Sequence, residues 1–201
     1  RWTGSIVPPE TGIYEFVLRS DQAVRLALNT ASYEPELIDA TVKSGDDTEF
    51  RAVVRLLGGR PYPLRLEFSK ASQGVDDKTH EHPRRASIRL MWKPPYGILE
   101  PVPSRVLIPA DSPAVFVLKT PFPPDDRSIG YERGTSVSQE WFAAATAAGV
   151  EIADYALAHV EHLGRVKRDA PDRAEKLRQF ARTFAERAMR RPLSPELEKL
   201  Y

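Results

Sequence analysis

Residues 12–28, GIYEFVLRSDQAVRLAL, carry the pattern that decides the fold. Ile13 to Arg19 alternates apolar with polar or smaller side chains, and Ala23 to Leu28 places apolar residues at every second position. Alternation with a period of two gives a strand one face toward a core and one toward water, as in an antiparallel sheet. The stretch therefore predicts two strands separated by a turn at Asp21.

The same alternation recurs on both sides of this stretch. It is seen in residues 50–57, 62–68 and 86–92, and turn sequences occur at 9–12 (PETG) and 58–61 (GGRP). Several short strands at close spacing with such turns are typical of a sandwich or barrel. We therefore predict an antiparallel β-sandwich over residues 1–109.

Proline and glycine divide the chain. Fifteen of the eighteen prolines and nine of the eleven glycines precede residue 137, and nine prolines fall within residues 94–124. Proline removes a backbone donor and is excluded from central strands and helix interiors. Residues 110–136 are therefore predicted to be a Pro-rich connector, with one short strand near residues 115–118.

The remaining residues, 137–201, follow a helical pattern. Ser138 is a candidate cap for a first helix with Glu140 in its first turn, and a second helix is predicted from Asp172 to Arg190. The predicted core face of the second helix is Leu177, Phe180, Ala181, Phe184 and Ala188. A third helix is expected to begin at Ser194-Pro195, and Tyr201 falls inside it, so this all-α segment is expected to be truncated.

Composition excludes several classes of protein. The chain of 201 residues has 29 basic and 28 acidic residues, a formal net charge of +1, which lacks the basic footprint of a nucleic-acid binder. No apolar run approaches the ~20 residues of a membrane span. The absence of cysteine excludes disulfides and thiolate metal sites within these residues. From the opening Arg1-Trp2-Thr3, without an initiator Met, we expect an excised or processed piece.

The order of short motifs resembles a known family. The motifs are Trp2-Thr3-Gly4, Gly12-Ile13-Tyr14-Glu15-Phe16, Ser20-Asp21, Val24-Arg25-Leu26, Leu57-Gly58-Gly59-Arg60-Pro61-Tyr62, Leu64-Arg65-Leu66-Glu67-Phe68 and Leu90-Met91-Trp92. Together they resemble the β-sandwich domain named after the anthrax protective antigen, PA14, over residues 1 to about 110. The strand that usually precedes the Trp-Thr-Gly motif in that family is missing here.

The later part of the chain carries a second resemblance. Residues 122–138 and 184–193 look like helical domains of unknown function in large planctomycete proteins that also contain a cytochrome c-like module. That resemblance implies an exported, multidomain parent protein, located in the periplasm or at the cell surface. It says nothing about the chemistry of these residues.

The PA14 resemblance implies one candidate ligand site. Family members that act as lectins bind sugar through Ca²⁺ held by consecutive aspartates near the Ser-Asp motif, because Ca²⁺ takes about 6–8 oxygen ligands. Asp21 matches the first aspartate, but Gln22 replaces the second. The alternative is that Asp21 caps the turn between two strands. If the site binds glycan, polar and aromatic loops are expected around Asp21 and Asn29.

Two pairs of histidines are further candidates. His80 and His82 are two residues apart and flanked by carboxylates, which suits a divalent metal, although a solvated loop has the same composition. His159 and His162 have helical spacing that could present two imidazoles to a metal or haem. The alternative for the second pair is a helix interface in which carbonyls or water satisfy the rings.

No enzyme motif is found in the sequence. The Gly58-Gly59 pair lacks the Lys-Ser/Thr of a phosphate loop, and there is no Gly-x-Ser-x-Gly or His-Glu-x-x-His. We therefore predict a non-catalytic carbohydrate-binding or adhesion-type module, with glycan and other domains of the parent protein as partners and calcium as the candidate cofactor. The alternative is a structural spacer within a haem-linked oxidoreductase or polysaccharide-processing protein.

Overall fold

The computed structural model describes residues 1–42, 47–69, 86–123 and 138–200. They fall into two compact units, Arg1–Val117 and Leu118–Tyr201.

The first unit is built from two antiparallel sheets. The strands are β1 (Trp2–Ile6), β2 (Gly12–Ser20), β3 (Ala23–Leu28), β4 (Ile38–Ala40), β5 (Glu49–Leu56), β6 (Tyr62–Ser69), β7 (Ile88–Lys93), β8 (Glu100–Pro101) and β9 (Leu107–Ile108). One sheet has the order β4-β3-β6-β1-β9 and the other the order β5-β2-β7-β8. The predicted β-sandwich is confirmed. The strands before and after Asp21 lie in different sheets, so the turn at Asp21 passes from one layer to the other.

Large side chains from both sheets fill the space between the layers. Tyr14, Phe16, Tyr62 and Trp92 are almost completely buried, and the rings of Tyr14 and Trp92 lie 5.2 Å apart. Buried aromatic residues with a polar atom need a hydrogen-bond partner. The Tyr14 hydroxyl donates to the Glu10 carbonyl at 2.8 Å, and the Tyr62 hydroxyl accepts from the Leu57 amide at 2.8 Å. The core therefore also fixes two of the turns between strands.

The sandwich unit extends past residue 109, the predicted boundary, to Val117. A Cβ on Gly4 would lie 2.5 Å from the carbonyl oxygen of Ile108, so glycine lets β9 approach β1 closely. Beyond β9, the Ser5 hydroxyl donates to the Ala110 carbonyl at 2.6 Å and lies 2.8 Å from the Ser112 hydroxyl. The first residues of the predicted connector are thus held by the side chains of the sandwich.

The described residues of the second unit form four helices. They are α1 (Gln139–Ala158), α2 (Val160–Leu163), α3 (Arg173–Met189) and α4 (Pro195–Leu200). Ser138 caps α1 as predicted, because its hydroxyl accepts from the Trp141 amide at 3.2 Å. No helix in the described part of the chain is long and apolar enough to cross a bilayer.

The predicted core face of α3 is wrong in part. Phe184 is 53% exposed and Ala188 is exposed, whereas Ala185 is buried. The buried Ala185 lies four residues after Ala181, at the edge of the predicted apolar stripe, so burial is displaced from Phe184 to this edge of the stripe.

Candidate functional site

The turn at Asp21 lies at one end of the sandwich. Ser20 is opposite Ile88, the first residue of β7, and Arg19 is opposite Glu49, the first residue of β5. Ala23 is opposite Ser69, the last residue of β6. The connections β4–β5 and β6–β7 therefore begin or end beside this turn.

Ser20, rather than Asp21, caps the turn. The Ser20 hydroxyl accepts from the Gln22 amide at 3.0 Å, and the Ser20 amide donates to the Thr48 carbonyl at 2.9 Å. The Oδ1 atom of Asp21 is buried and has no hydrogen-bond partner in the part of the chain that the structure describes. Ser20 therefore takes the capping role that was considered for Asp21.

Asn29 occupies the other end of β3 and holds a distant segment. Its side-chain nitrogen donates to the Val115 carbonyl at 2.9 Å, and its side-chain oxygen accepts from the Val115 amide at 2.9 Å. Its backbone φ is 53°, in the left-handed region that asparagine tolerates. The predicted strand at residues 115–118 is not formed. The Asn29 amide supplies the pair of hydrogen bonds that a neighbouring strand would make with Val115.

The structure does not bring Asp21 and Asn29 together. They flank the six residues of β3, which at about 3.3 Å per residue separate the two ends by about 20 Å. A role for either residue in carbohydrate binding stays a prediction, but the two residues belong to opposite ends of the sandwich. One small ligand would not contact both.

The described donors near Asp21 are too few to form a calcium site by themselves, and calcium binding there stays a prediction. The described part of the chain contains no group of three or more His, Asp, Glu or Cys residues placed to hold a metal ion. The Asp21 turn contributes one carboxylate, whereas Ca²⁺ takes about 6–8 oxygen ligands. His80 and His82, the other candidate metal ligands, lie outside the described residues, and metal binding there stays a prediction.

A second turn, between β7 and β8, displays an aromatic residue. The Gly97 amide donates to the Pro94 carbonyl at 3.0 Å, which closes a four-residue turn with Pro95 and Tyr96 at its centre. The Tyr96 side chain is fully exposed. Its backbone φ is 59°, a value that this position of a type II turn requires and that glycine or asparagine usually supplies. A bulky residue therefore adopts a conformation that costs free energy, and it makes no hydrogen bond or ring contact with the described residues.

Two prolines and two glycines hold this turn in place. A Cβ on Gly97 would lie 2.6 Å from Cγ of Pro94, and a Cβ on Gly12 would lie 2.5 Å from Cγ of Pro95. The Pro95 ring thus fits against the first residue of β2 only because that residue is glycine. The turn is fixed by ring packing and by its hydrogen bond, and Tyr96 projects from a defined backbone.

Sequence reasoning missed Tyr96 as a functional candidate. The residue falls in the proline-rich stretch 94–124, where the prolines indicate only that central strands and helix interiors are excluded. The signal that could have found it is the order Pro-Pro-Tyr-Gly, in which proline favours the second position of a turn and an aromatic residue stands where glycine is expected.

His159, in the helical unit, has the backbone contact that the helix-interface alternative predicts. The Nδ1 atom of His159 lies 2.8 Å from the Tyr155 carbonyl oxygen, and the His159 and Tyr155 rings are 4.3 Å apart. His159 precedes α2, and His162 lies within it. A backbone carbonyl thus satisfies one nitrogen of His159, as expected for a histidine at a helix junction.

The chain is similar to proteins that are named as anti-sigma factors. The chain is 32% identical over 113 residues to the anti-sigma-I factor RsgI3 of Acetivibrio thermocellus, which covers 56% of this chain and 15% of that protein. A solved anti-sigma factor domain-containing protein matches with 31% identity and a TM-score of 0.42, over 56% of this chain and 33% of its own. Another anti-sigma factor domain-containing protein, from Clostridium clariflavum, matches with 22% identity and a TM-score of 0.40, over 60% of this chain and 35% of its own.

The chain therefore spans 15% of the length of this curated relative and about a third of each solved structure. The family match covers residues 1–105 and does not reach the helical unit, so the planctomycete resemblance of the later residues is not supported by it and stays a prediction. Residues 1–105 match the PA14 domain, as the motifs from Trp2-Thr3-Gly4 onward predict, and the chain belongs to the PA14 domain family.

Proposed function

We propose that this chain is a non-catalytic carbohydrate-binding module and that its contact with carbohydrate is the turn formed by Pro94, Pro95, Tyr96 and Gly97. The observation that carries the proposal is Tyr96 itself, a fully exposed aromatic ring in a left-handed backbone conformation that the fold does not otherwise need. Strained positions of this kind cluster at binding sites. PA14 domains are often carbohydrate-binding modules, which supports this ligand class.

The chemistry of a tyrosine side chain suits a sugar. One side of a pyranose ring presents C–H groups that pack on an aromatic face, and its hydroxyls require polar partners at the edge. Tyrosine supplies an apolar face with a hydroxyl at its tip, and it loses little conformational entropy on binding because it has two side-chain torsions. The fixed turn lowers the cost of binding further, since the backbone is already ordered.

The titratable groups support a non-catalytic role. The pKa of Asp39 is lowered by the Thr41 hydroxyl, that of Glu49 by Arg19 and Arg51, and that of Asp172 by Lys176. A general acid needs a carboxyl whose pKa is raised toward neutrality. Among the described residues, the resolved carboxyl pKa shifts are all downward, and hydrogen bonds to neighbouring groups account for them.

The proposal also concerns the longer protein to which this module belongs. We place the module in a longer, exported protein, outside the cytoplasm and beside other domains. The relative from A. thermocellus is named for its action on a sigma factor, but this chain corresponds to 15% of it. The proposal therefore concerns the carbohydrate contact, and the relative's action on a sigma factor is not proposed for this chain.

A glycan array followed by calorimetry tests the proposal. The chain is applied to the array in calcium and in EGTA, and the strongest soluble ligand is then titrated. Tyr96→Gly is expected to weaken binding by a factor of at least about five, corresponding to about 1 kcal/mol for the lost ring contact. Tyr96→Phe should retain most of the affinity, and Phe142→Ala, which removes an exposed ring from α1, should retain all of it. If the array shows no ligand in either condition, or if Tyr96→Gly binds like the wild type, the proposal fails.

The calcium prediction for Asp21 is tested on the same samples. Binding through Tyr96 is expected to be equal in calcium and EGTA, because residues 94–98 contain no carboxylate. Asp21→Asn is compared with Asp154→Asn, which removes one exposed carboxylate from α1. Loss of binding in EGTA together with loss in Asp21→Asn alone would assign the contact to the β2–β3 turn.

A further inference from the structure

The two sheets have four edges, and one of them differs from the others. The edge strands β4, β8 and β9 contain three, two and two residues. The fourth, β5, contains eight residues and pairs with β2 on one side only among the described residues. Short edge strands are one way in which proteins prevent edge-to-edge association. The β5 edge lacks that protection and presents a long row of backbone donors and acceptors.

The side chains of β5 alternate between the two faces of its sheet. Phe50, Ala52 and Val54 pack against the core, so Glu49, Arg51, Val53 and Arg55 lie on the outer face. Val53 is 63% exposed. The Nε atom of Arg55 is buried and has no hydrogen-bond partner among the described residues. The outer face of this edge thus combines an exposed apolar residue with cationic side chains.

The strand is complementary to itself in one antiparallel register. If Ala52 stands opposite Ala52 of a second copy, Glu49 faces Arg55 of that copy at both ends of the pair. Phe50 then faces Val54, and Arg51 faces Val53, so no like charges are directly opposed. A shift of two residues in either direction places Arg51 opposite Arg55 or opposite Arg51. Opposite charges across a strand pair stabilise it and like charges destabilise it, so charge selects the first register.

We infer that a second copy of this chain docks on β5, with the two β5 strands antiparallel and Ala52 opposite Ala52. The two four-stranded sheets then form one continuous sheet across a two-fold axis. This interface is isologous, because the same residues contribute from each copy. Strand pairing alone buries a small area, so the dimer is weak and forms at high protein concentration. Its two Glu49–Arg55 pairs are electrostatic contacts, so added salt weakens the dimer.

Analytical ultracentrifugation of the full chain over a hundredfold range of concentration tests the inference. The wild type is expected to change from monomer to dimer across the range, with weaker association at high salt. Val53→Lys places a lysine on the exposed edge, opposite Arg51 of the second copy, and is expected to weaken dimerisation at least about tenfold. Arg55→Glu, which opposes Glu49 with a like charge, should act in the same direction.

Val42→Lys is the matched control, because Val42 is 88% exposed and lies outside β5. It carries the same substitution and should dimerise like the wild type. Hydrogen exchange of peptides covering residues 49–56 should slow with protein concentration in the wild type and not in Val53→Lys. Circular dichroism checks that each variant is folded. A wild type that stays monomeric throughout, or a dimer that Val53→Lys and Val42→Lys affect equally, would overturn the inference.

Discussion

Asn29 and Tyr96 have nearly the same backbone conformation, with φ values of 53° and 59°, and opposite surroundings. Asparagine tolerates the left-handed region, and both ends of the Asn29 amide are bonded to Val115. Tyrosine does not favour that region, and the Tyr96 side chain is fully exposed. The conformation of Asn29 is therefore explained by the fold. The fold does not explain the backbone conformation of Tyr96. This difference is why we propose Tyr96 as the ligand contact.

The largest expected effect is at Asn29. Asn29→Ala removes two hydrogen bonds, leaves the Val115 backbone groups without those partners and places a Cβ in the left-handed region. We expect the free energy of unfolding of the sandwich to fall by about 2–4 kcal/mol, measured by urea denaturation. Asn29→Gly should cost less than alanine, because glycine adopts this φ without strain. A loss below about 0.5 kcal/mol for Asn29→Ala would mean that the pair with Val115 contributes little.

The second effect has the opposite sign. Tyr96→Gly removes the strained backbone and no intramolecular contact with the described residues. The free energy of unfolding is expected to stay the same or to rise by up to about 1 kcal/mol, since relief of strain exceeds the added entropy of the unfolded chain. The same urea experiment measures it. A decrease of more than about 1 kcal/mol would show that the ring supports the fold, and the contrast with Asn29 would then disappear.

The smallest effect concerns Glu151. Its side chain binds the backbone of Lys119 and Thr120, as Asn29 binds that of Val115, but it is ionisable. Its carboxylate accepts from the Thr120 hydroxyl at 2.7 Å and from the Lys119 and Thr120 amides at 2.7 and 2.9 Å. These bonds, the hydroxyl first, lower the pKa of Glu151. Stabilisation from a carboxyl with a lowered pKa is complete above its ordinary pKa and is lost as the pH falls through the lower, folded value.

Nuclear magnetic resonance of the Lys119 and Thr120 amides between neutral and acidic pH should therefore show a transition below the ordinary glutamate pKa. Glu151→Gln should abolish this transition, because the amide does not titrate. The Val115 amide, held by Asn29, serves as the internal reference and should not follow the Glu151 transition. Equal pH dependence at Val115 and Thr120 would show that the two contacts do not differ in the way described.

Much of the fold could be predicted because its cause is local. The core-facing residues of β2 and β3 recur at every second position, so the period-two pattern is visible in the sequence, although Val17 and Ala27 on the other face are buried as well. The Ser138 cap is equally local. The Asn29–Val115 pair was not predictable, because its partners are 86 residues apart and the contact involves a side chain and a backbone. An apolar run at residues 115–118 suggests a strand, and nothing in it indicates pairing with an amide side chain.

The candidate sites show the same limit. The Ser-Asp motif identified Asp21, but the backbone geometry that gives the capping role to Ser20 is invisible in the sequence. On α3, the choice between Phe184 and Ala185 depends on which side the neighbouring helices occupy. At Tyr96, composition indicates only that proline interrupts the strands, whereas the order Pro-Pro-Tyr-Gly indicates a turn.

The segment leaving the sandwich is held by hydrogen bonds at Ser5 and Asn29 and by the packing of Val115 and Val117 on the core, and this has a mechanical consequence. Tension applied to the chain beyond Val117 reaches the Asn29 amide first and the Ser5 hydroxyl next, before it reaches any strand of the core. Release of residues 110–117 would lengthen the tether by up to about 25 Å at about 3.3 Å per residue, while both sheets stay intact. Force could thus extend the chain by releasing this segment, without unfolding the sandwich.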